Sequence, residues 1–185
     1  CISGKYPIYG GNGIAGYADS FNSEDCIVVG RVGVYCGSLY YVEDRCWVTD
    51  NALIVKAKQK YDQKFLFYLL KTLHLNEYRI GSTQPLITKT ILNSFEVKIP
   101  IRIEDQQAIA NILSIFDNQI KNLDRINDNL GQLITTQFKR LKADSPCFQR
   151  KLSDLCSFIS RGVSPKYDDT SDYYVLGQTC VRNHL

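Results

Sequence analysis

The 185-residue chain reads as an α+β protein: a compact β-rich domain over 1–100, a long coiled-coil-forming α-helix over 101–145, and the start of a second domain over 146–185. Three observations predict this. Short β-branched and aromatic runs alternate with Gly-, Asn- and Pro-rich turns in the N-terminal part. An uninterrupted helical pattern then follows Pro100. After Ser145-Pro146 a fresh helical start at Lys151 leads into two strand-like runs, 173–176 and 180–182.

The opening stretch, Tyr6-Pro7-Ile8-Tyr9-Gly10-Gly11-Asn12-Gly13-Ile14-Ala15-Gly16-Tyr17, is extended chain and turns, with glycines admitting positive φ. Strands are expected at 26–29, 39–42 and 52–56, punctuated by Gly30-Arg31-Val32-Gly33 and Cys36-Gly37-Ser38, in a mainly antiparallel unit. Asp62 is placed to cap a helix whose apolar face is Phe65, Leu66, Leu69, Leu70 and Leu73. Gly81-Ser82-Thr83-Gln84-Pro85 is a loop, and Thr88 caps a short helical turn through Leu92. The alternation Phe95-Glu96-Val97-Lys98-Ile99 predicts a last strand, ended by Pro100.

The long helix carries a seam. Ile109, Leu113, Phe116, Ile120, Leu123, Asn127, Leu130, Ile134, Gln137 and Leu141 fall at alternating 4-3 spacing, and all but Asn127 and Gln137 are apolar. At 1.5 Å per residue such a helix spans roughly 58 Å. The chain offers no second helix of that length, so the seam predicts a partner: a second copy, or another half of the same protein. Asn127 and Gln137 are candidate register marks. Glu104 and Asp105 at its start, and Lys139, Arg140 and Lys142 at its end, suit the helix dipole, while Gly131 weakens its middle.

Composition excludes more than it proposes. The net charge of +3 permits nucleic-acid binding without signalling it. No apolar run approaches the roughly 18 residues of a membrane span, and no secretory leader opens the chain. The seven cysteines are odd in number and contain no C-x-x-C, which predicts buried free thiols and a reducing, cytoplasmic setting. With only His74 and His184, no metal site is expected. Gly10-Gly11-Asn12-Gly13-Ile14-Ala15-Gly16 neither follows a clear strand nor opens a helix, so it is not a dinucleotide loop. No phosphate loop or paired-acid constellation appears, and no catalytic residue is assigned. A chain that begins at Cys1 and lacks Met reads as a fragment.

The order of motifs carries a resemblance. Tyr9-Gly10-Gly11-Asn12-Gly13, Gly30-Arg31-Val32-Gly33 with Cys36-Gly37, Thr49-Asp50-Asn51-Ala52, Gly81-Ser82-Thr83-Gln84 and Ile99-Pro100 occur in sequence. Gln106-Gln107-Ala108-Ile109-Ala110 then enters the long helix. This resembles the target-recognition domain and spacer helix of type I restriction–modification specificity subunits. Lys151-Leu152-Ser153-Asp154-Leu155 and Gly162-Val163-Ser164-Pro165-Lys166-Tyr167 resemble the opening of the next such domain. The resemblance implies a non-catalytic subunit that reads double-stranded DNA and directs adenine methylation and restriction. Its two recognition domains would be held over a split site by paired antiparallel helices. It implies docking to methyltransferase (M) subunits and, through them, to the ATP-dependent restriction (R) subunit. S-adenosylmethionine, ATP and Mg would belong to those partners. The chain departs from the family pattern in three places: the first domain lacks the Leu-x-Asp opening kept at Leu152-Ser153-Asp154, the second domain is cut off with its long helix absent, and Ile101-Arg102-Ile103-Glu104-Asp105 replaces the usual second Pro and acidic pair before Gln106. A truncated coiled-coil protein or recombination cassette that assembles without reading DNA is the alternative.

Base reading would fall to side chains that match two atoms of one base: Arg31 for guanine, Asn12, Asn51 and Gln84 for adenine. Lys5, Ser82, Thr83 and Lys89 would touch phosphate, which positions without specifying. Against this, Arg31 suits an internal ion pair or a bond to a loop carbonyl, and Asn12 and Asn51 suit turn capping. Of Tyr6, Tyr9, Tyr17, Tyr35, Tyr40 and Tyr41, Tyr9 is kept as a DNA contact, while most of the cluster reads as core and sheet residues and Trp47 as core.

Overall fold

The computed structural model describes residues 4–81 and 85–163. Ser82, Thr83, Gln84 and the expected strands at 173–176 and 180–182 lie outside the described residues. The chain divides into two units, Cys1–Asn118 and Gln119–Leu185.

The first unit is built on β3 (Cys26–Gly30), in which every residue is buried. Strand alternation sends its side chains to two cores. Ile27 and Val29 join Phe65, Phe67, Leu70, Leu75 and Ile87 on one face. Cys26 and Val28 join Val42, Cys46, Val48 and Ala52 on the other. A continuously apolar strand is what a position covered on both faces requires. β3 pairs antiparallel with β4 (Leu39–Val42) and β6 (Ala52–Val55), giving the order β4-β3-β6. The glycine-rich opening forms a second sheet: β1 (Tyr6–Gly10) and β2 (Gly13–Ala18) make a hairpin, and β1 pairs parallel with β5 (Trp47–Val48).

α1 (Gln63–Thr72) starts where Asp62 predicts it: Oδ1 of Asp62 accepts from the Phe65 N–H at 2.7 Å. A 3-10 turn, Leu75–Tyr78, follows. Thr88 caps α2 (Lys89–Asn93), its Oγ1 accepting from the Ile91 N–H at 3.2 Å. The expected strand at 95–99 is absent. Phe95 and Ile99 pack on the α1-side core, and Phe95 meets the Tyr78 ring edge-on at 4.8 Å. Val97, between Phe95 and Ile99, is 42% exposed, so the alternation marks two anchoring side chains, which an unpaired segment supplies without ladder bonds. Of the six tyrosines, Tyr6, Tyr9, Tyr40 and Tyr41 are half-buried, as expected of most of them, whereas Trp47 departs from its expected core place. Trp47 is 37% exposed, and Tyr17 and Tyr35 are exposed, because they sit on the open sheet and a loop tip instead of between the layers. Cys26, Cys36 and Cys46 are buried free thiols; Cys147 is an exposed one.

α3 runs Ile103–Ala143 without a break, and only Gln106 and Ala110 of it are buried. The apolar seam residues are 38–70% exposed. Ile112, Ile126, Leu133 and Phe138, which the 4-3 spacing passes over, are exposed as well, so the apolar face is wider than a two-position seam. The Cβ of an alanine at Gly131 would meet nothing within 4 Å. Beyond it, α4 (Leu152–Leu155) is a single short turn.

Candidate nucleic-acid interface

Three loops of the first unit meet at one end of its sheets. The β1–β2 turn carries Gly11 and Asn12, the β3–β4 loop spans 31–38, and the β5–β6 turn carries Asp50 and Asn51. Glycine makes the meeting possible. A Cβ on Gly30 would lie 2.5 Å from the Gly11 carbonyl and 2.8 Å from that of Tyr35, and one on Gly11 would lie 3.1 Å from the carbonyls of Asn51 and Val32. Arg31 ties the loops together. Its N–H donates to the Asn51 carbonyl at 2.9 Å, its Nη1 to the Asp50 carbonyl at 3.0 Å, and its own carbonyl accepts from the Ile87 N–H at 2.9 Å and from Cys36 Sγ at 3.3 Å. Burial pushes the Cys36 thiol up, partly offset by the Ile87 N–H and the positive charge of Arg79.

Of the candidate readers, Asn12, Arg31 and Asn51 are therefore brought together, Asn12 and Asn51 exposed and Arg31 half-buried. Arg31's guanidinium bonds a loop carbonyl, the structural role that its residue type also suits. Gly33 N–H donates to the Pro85 carbonyl at 3.0 Å, and Leu86 bridges both Val32 and Ile80, so the residues flanking Ser82, Thr83 and Gln84 join this same end. Those three side chains lie outside the described residues.

Other candidates are elsewhere. Lys5 precedes β1 and Asn12 follows it, so they flank opposite ends of a strand about 17 Å long at 3.3 Å per residue. Lys5 sits over the Tyr6 ring at 5.5 Å and faces Glu24, Asp25, Glu43 and Asp44, an acidic neighbourhood unsuited to phosphate. Tyr9 is half-buried against Tyr40 and the core that holds Cys26 and Val28, and burial, then Cys46 beside it, raises its phenol. Lys89 lines a cavity of about 390 Å³ with Leu53, Leu70 and Leu92.

Sequence reasoning misses the tip of the β3–β4 loop. Val34 is 80% exposed and Tyr35 54% exposed. The tip is a closed turn: Gly33 and Gly37 take φ of +83° and +92°, Cys36 N–H donates to the Gly33 carbonyl, and Ser38 donates to that of Tyr35 through both N–H and Oγ. The available signal is the Gly33…Gly37 bracket, which by itself reads only as turn punctuation.

The sequence profile described as type I restriction modification DNA specificity domain matches residues 1–132 of the chain. The chain belongs to this family. It is 27% identical over 157 residues to the EcoprrI specificity subunit of Escherichia coli, covering 84% of this chain and 36% of that one. It is 34% identical over 92 residues to the MjaIX specificity subunit of Methanocaldococcus jannaschii, covering 48% and 21%. The crystal structure of the type I system S subunit from M. genitalium superposes with a TM-score of 0.59 at 28% identity, covering 70% of this chain and 37% of that one. The chain thus spans about a third or less of the length of these relatives. The α+β architecture with its long helix is that of the family.

Proposed function

We propose that this chain reads DNA sequence as part of a type I specificity subunit, with the loop end of the first unit as the reading surface. The observation that carries this is the convergence of Asn12, Asn51 and the exposed Val34-Tyr35 tip around the Arg31 brace, in a chain that belongs to the specificity-domain family. Asn12 and Asn51 offer the paired donor and acceptor that match adenine, Val34 offers an apolar surface for a thymine methyl, and Tyr35 an aromatic face. Arg31 keeps the loops in register and is not itself the reader. The loop backbones that carry these groups are already bonded to one another, so little backbone freedom is lost on binding.

On this reading the subunit does no chemistry. It docks methyltransferase subunits and through them the restriction subunit, in the cytoplasm, and S-adenosylmethionine, ATP and Mg belong to those partners. The exposed face of α3 pairs with a second copy or with another half of the subunit, and 146–185 opens a second recognition domain. Titration of the assembled methyltransferase complex with DNA of varied half-sites tests the proposal. Asn12→Ala or Asn51→Ala is expected to flatten discrimination at one position by about 1–3 kcal/mol. Affinity should fall steeply with salt. Absence of any sequence preference in the wild-type complex refutes the reading.

A further inference from the structure

One side chain holds the first turns of α3 in the recognition domain. Gln106 is fully buried. Its Nε2 donates to the Pro100 carbonyl at 2.8 Å, and its Oε1 accepts from the Asp62 N–H at 3.0 Å. Asp62 is the N-cap of α1, its own carboxylate already engaged with the Phe65 N–H. A single amide, with one donor and one acceptor in use, thus joins the chain leaving the domain, the start of α1 and the start of α3. One turn on, Ala110 is 2% exposed, small enough for close approach. Further along, Asp117 pairs with Lys71 at 3.2 Å.

The phase of these contacts matters. At about 100° per residue, positions 106, 110 and 117 fall within about 40° of arc. Ile109, Ile112 and Phe116, where the exposed apolar face begins, centre about 100° away. A slip of one residue in the seat would turn the helix by that same angle. Apolar contacts tolerate sliding; two directional hydrogen bonds from one buried amide do not.

We propose that Gln106 is a positioning residue that locks the rotational phase of the first turns of α3 in their seat and so sets which way Ile109, Ile112 and Phe116, the start of the apolar face, point from the recognition domain. The inference rests on the DNA-reading proposal above. In that setting, the quantity it controls is the spacing and helical phase of two half-sites read together, where one base pair is about 3.4 Å and about 34°.

Two variants test it in the assembled methyltransferase complex containing this chain: Gln106→Leu, which removes both bonds, and Gln106→Glu. In Gln106→Glu the ionised carboxylate keeps the acceptor but cannot donate to the Pro100 carbonyl; protonated, it restores both bonds, and burial raises the pH at which this happens. Expected for both variants at pH 8 is unchanged affinity for a single half-site. Discrimination between the preferred split-site spacing and spacings one base pair shorter or longer should fall roughly tenfold or more, about 1.4 kcal/mol. Gln106→Glu should regain it near pH 6, and Gln106→Leu should not. In the chain alone, hydrogen exchange at the Asp62 amide should quicken in Gln106→Leu. Unchanged spacing discrimination overturns the proposal, as does an equal loss at single and split sites, which marks a general folding role. If the wild-type complex shows no half-site preference, the DNA reading fails separately, and unchanged exchange at Asp62 then overturns the clamp on its own.

Discussion

Replacing Leu123 by Glu separates assembly from folding. Leu123 is 59% exposed in α3 and touches no buried core, so the substitution should change the stability of the first unit by less than about 0.5 kcal/mol. Its cost appears on pairing. Fully burying a leucine is worth about 1.5–3 kcal/mol, and the uncovered 59% corresponds to about 1–2 kcal/mol per copy. In a symmetric pair both copies lose it, so about 2–4 kcal/mol is at stake, roughly a thirty- to several-hundred-fold rise in dissociation constant. Burying the new carboxylate adds to this. Sedimentation equilibrium of wild-type and variant chain, alone and with methyltransferase subunit, reads the association. Thermal unfolding followed by near-UV ellipticity reads the domain. Association unchanged by the substitution refutes the pairing role of this face. A large fall in melting temperature shows instead that the residue serves its own fold.

Other outcomes follow from particular contacts. Asp62→Ala removes the α1 cap and should cost about 1 kcal/mol in urea unfolding. Gly30→Ala forces a methyl onto the Gly11 and Tyr35 carbonyls and should destabilise by about 1–3 kcal/mol, whereas Gly131→Ala meets nothing and should raise helix stability by up to about 1 kcal/mol, both read by denaturant titration. Burial, and then Cys26 beside it, pushes the Cys46 thiol up to about 12, and burial with neighbouring carboxylates takes the Tyr41 and Tyr68 phenols to about 12. In each case the folded state holds its proton more tightly than the unfolded one. The stability these groups contribute is present below their ordinary values of 9.0 and 10.0 and is lost as pH rises from there toward 12. Unfolding midpoints should therefore fall between pH 9 and 12, and a flat profile there would contradict the burial. At pH 8, iodoacetamide should modify the exposed Cys147 well before Cys26 or Cys46, as peptide mass mapping would show.

Much of the fold is legible because its signals are local. Asp62 and Thr88 each cap a helix by bonding an N–H three residues on, so sequence spacing alone locates α1 and α2. The 4-3 repeat in α3 is local in the same sense. The strand expected at 95–99 fails because a strand needs a partner: Phe95 and Ile99 pack on the core while Val97 between them stays exposed, and an apolar alternation alone supplies no ladder. For the site, residue type names Asn12, Arg31 and Asn51, but Lys5 and Tyr9 are named on the same ground, and Lys5 sits among acids and Tyr9 half-buried against the core. The exposure of Val34 and Tyr35 has no local signature beyond their flanking glycines.

The sequence by itself determined the strands near 26, 39 and 52, the two capped helices, the uninterrupted α3 and its apolar stripe, since each depends on the spacing of residues within one segment. Only the tertiary structure decided which loops share an end of the sheets, that Arg31 braces them, that Val34 and Tyr35 form the tip, and that Gln106 seats α3 against Asp62 and Pro100. Those contacts join residues distant in the chain, and a hydrogen bond to a backbone carbonyl leaves no trace in the identity of the residue that supplies it.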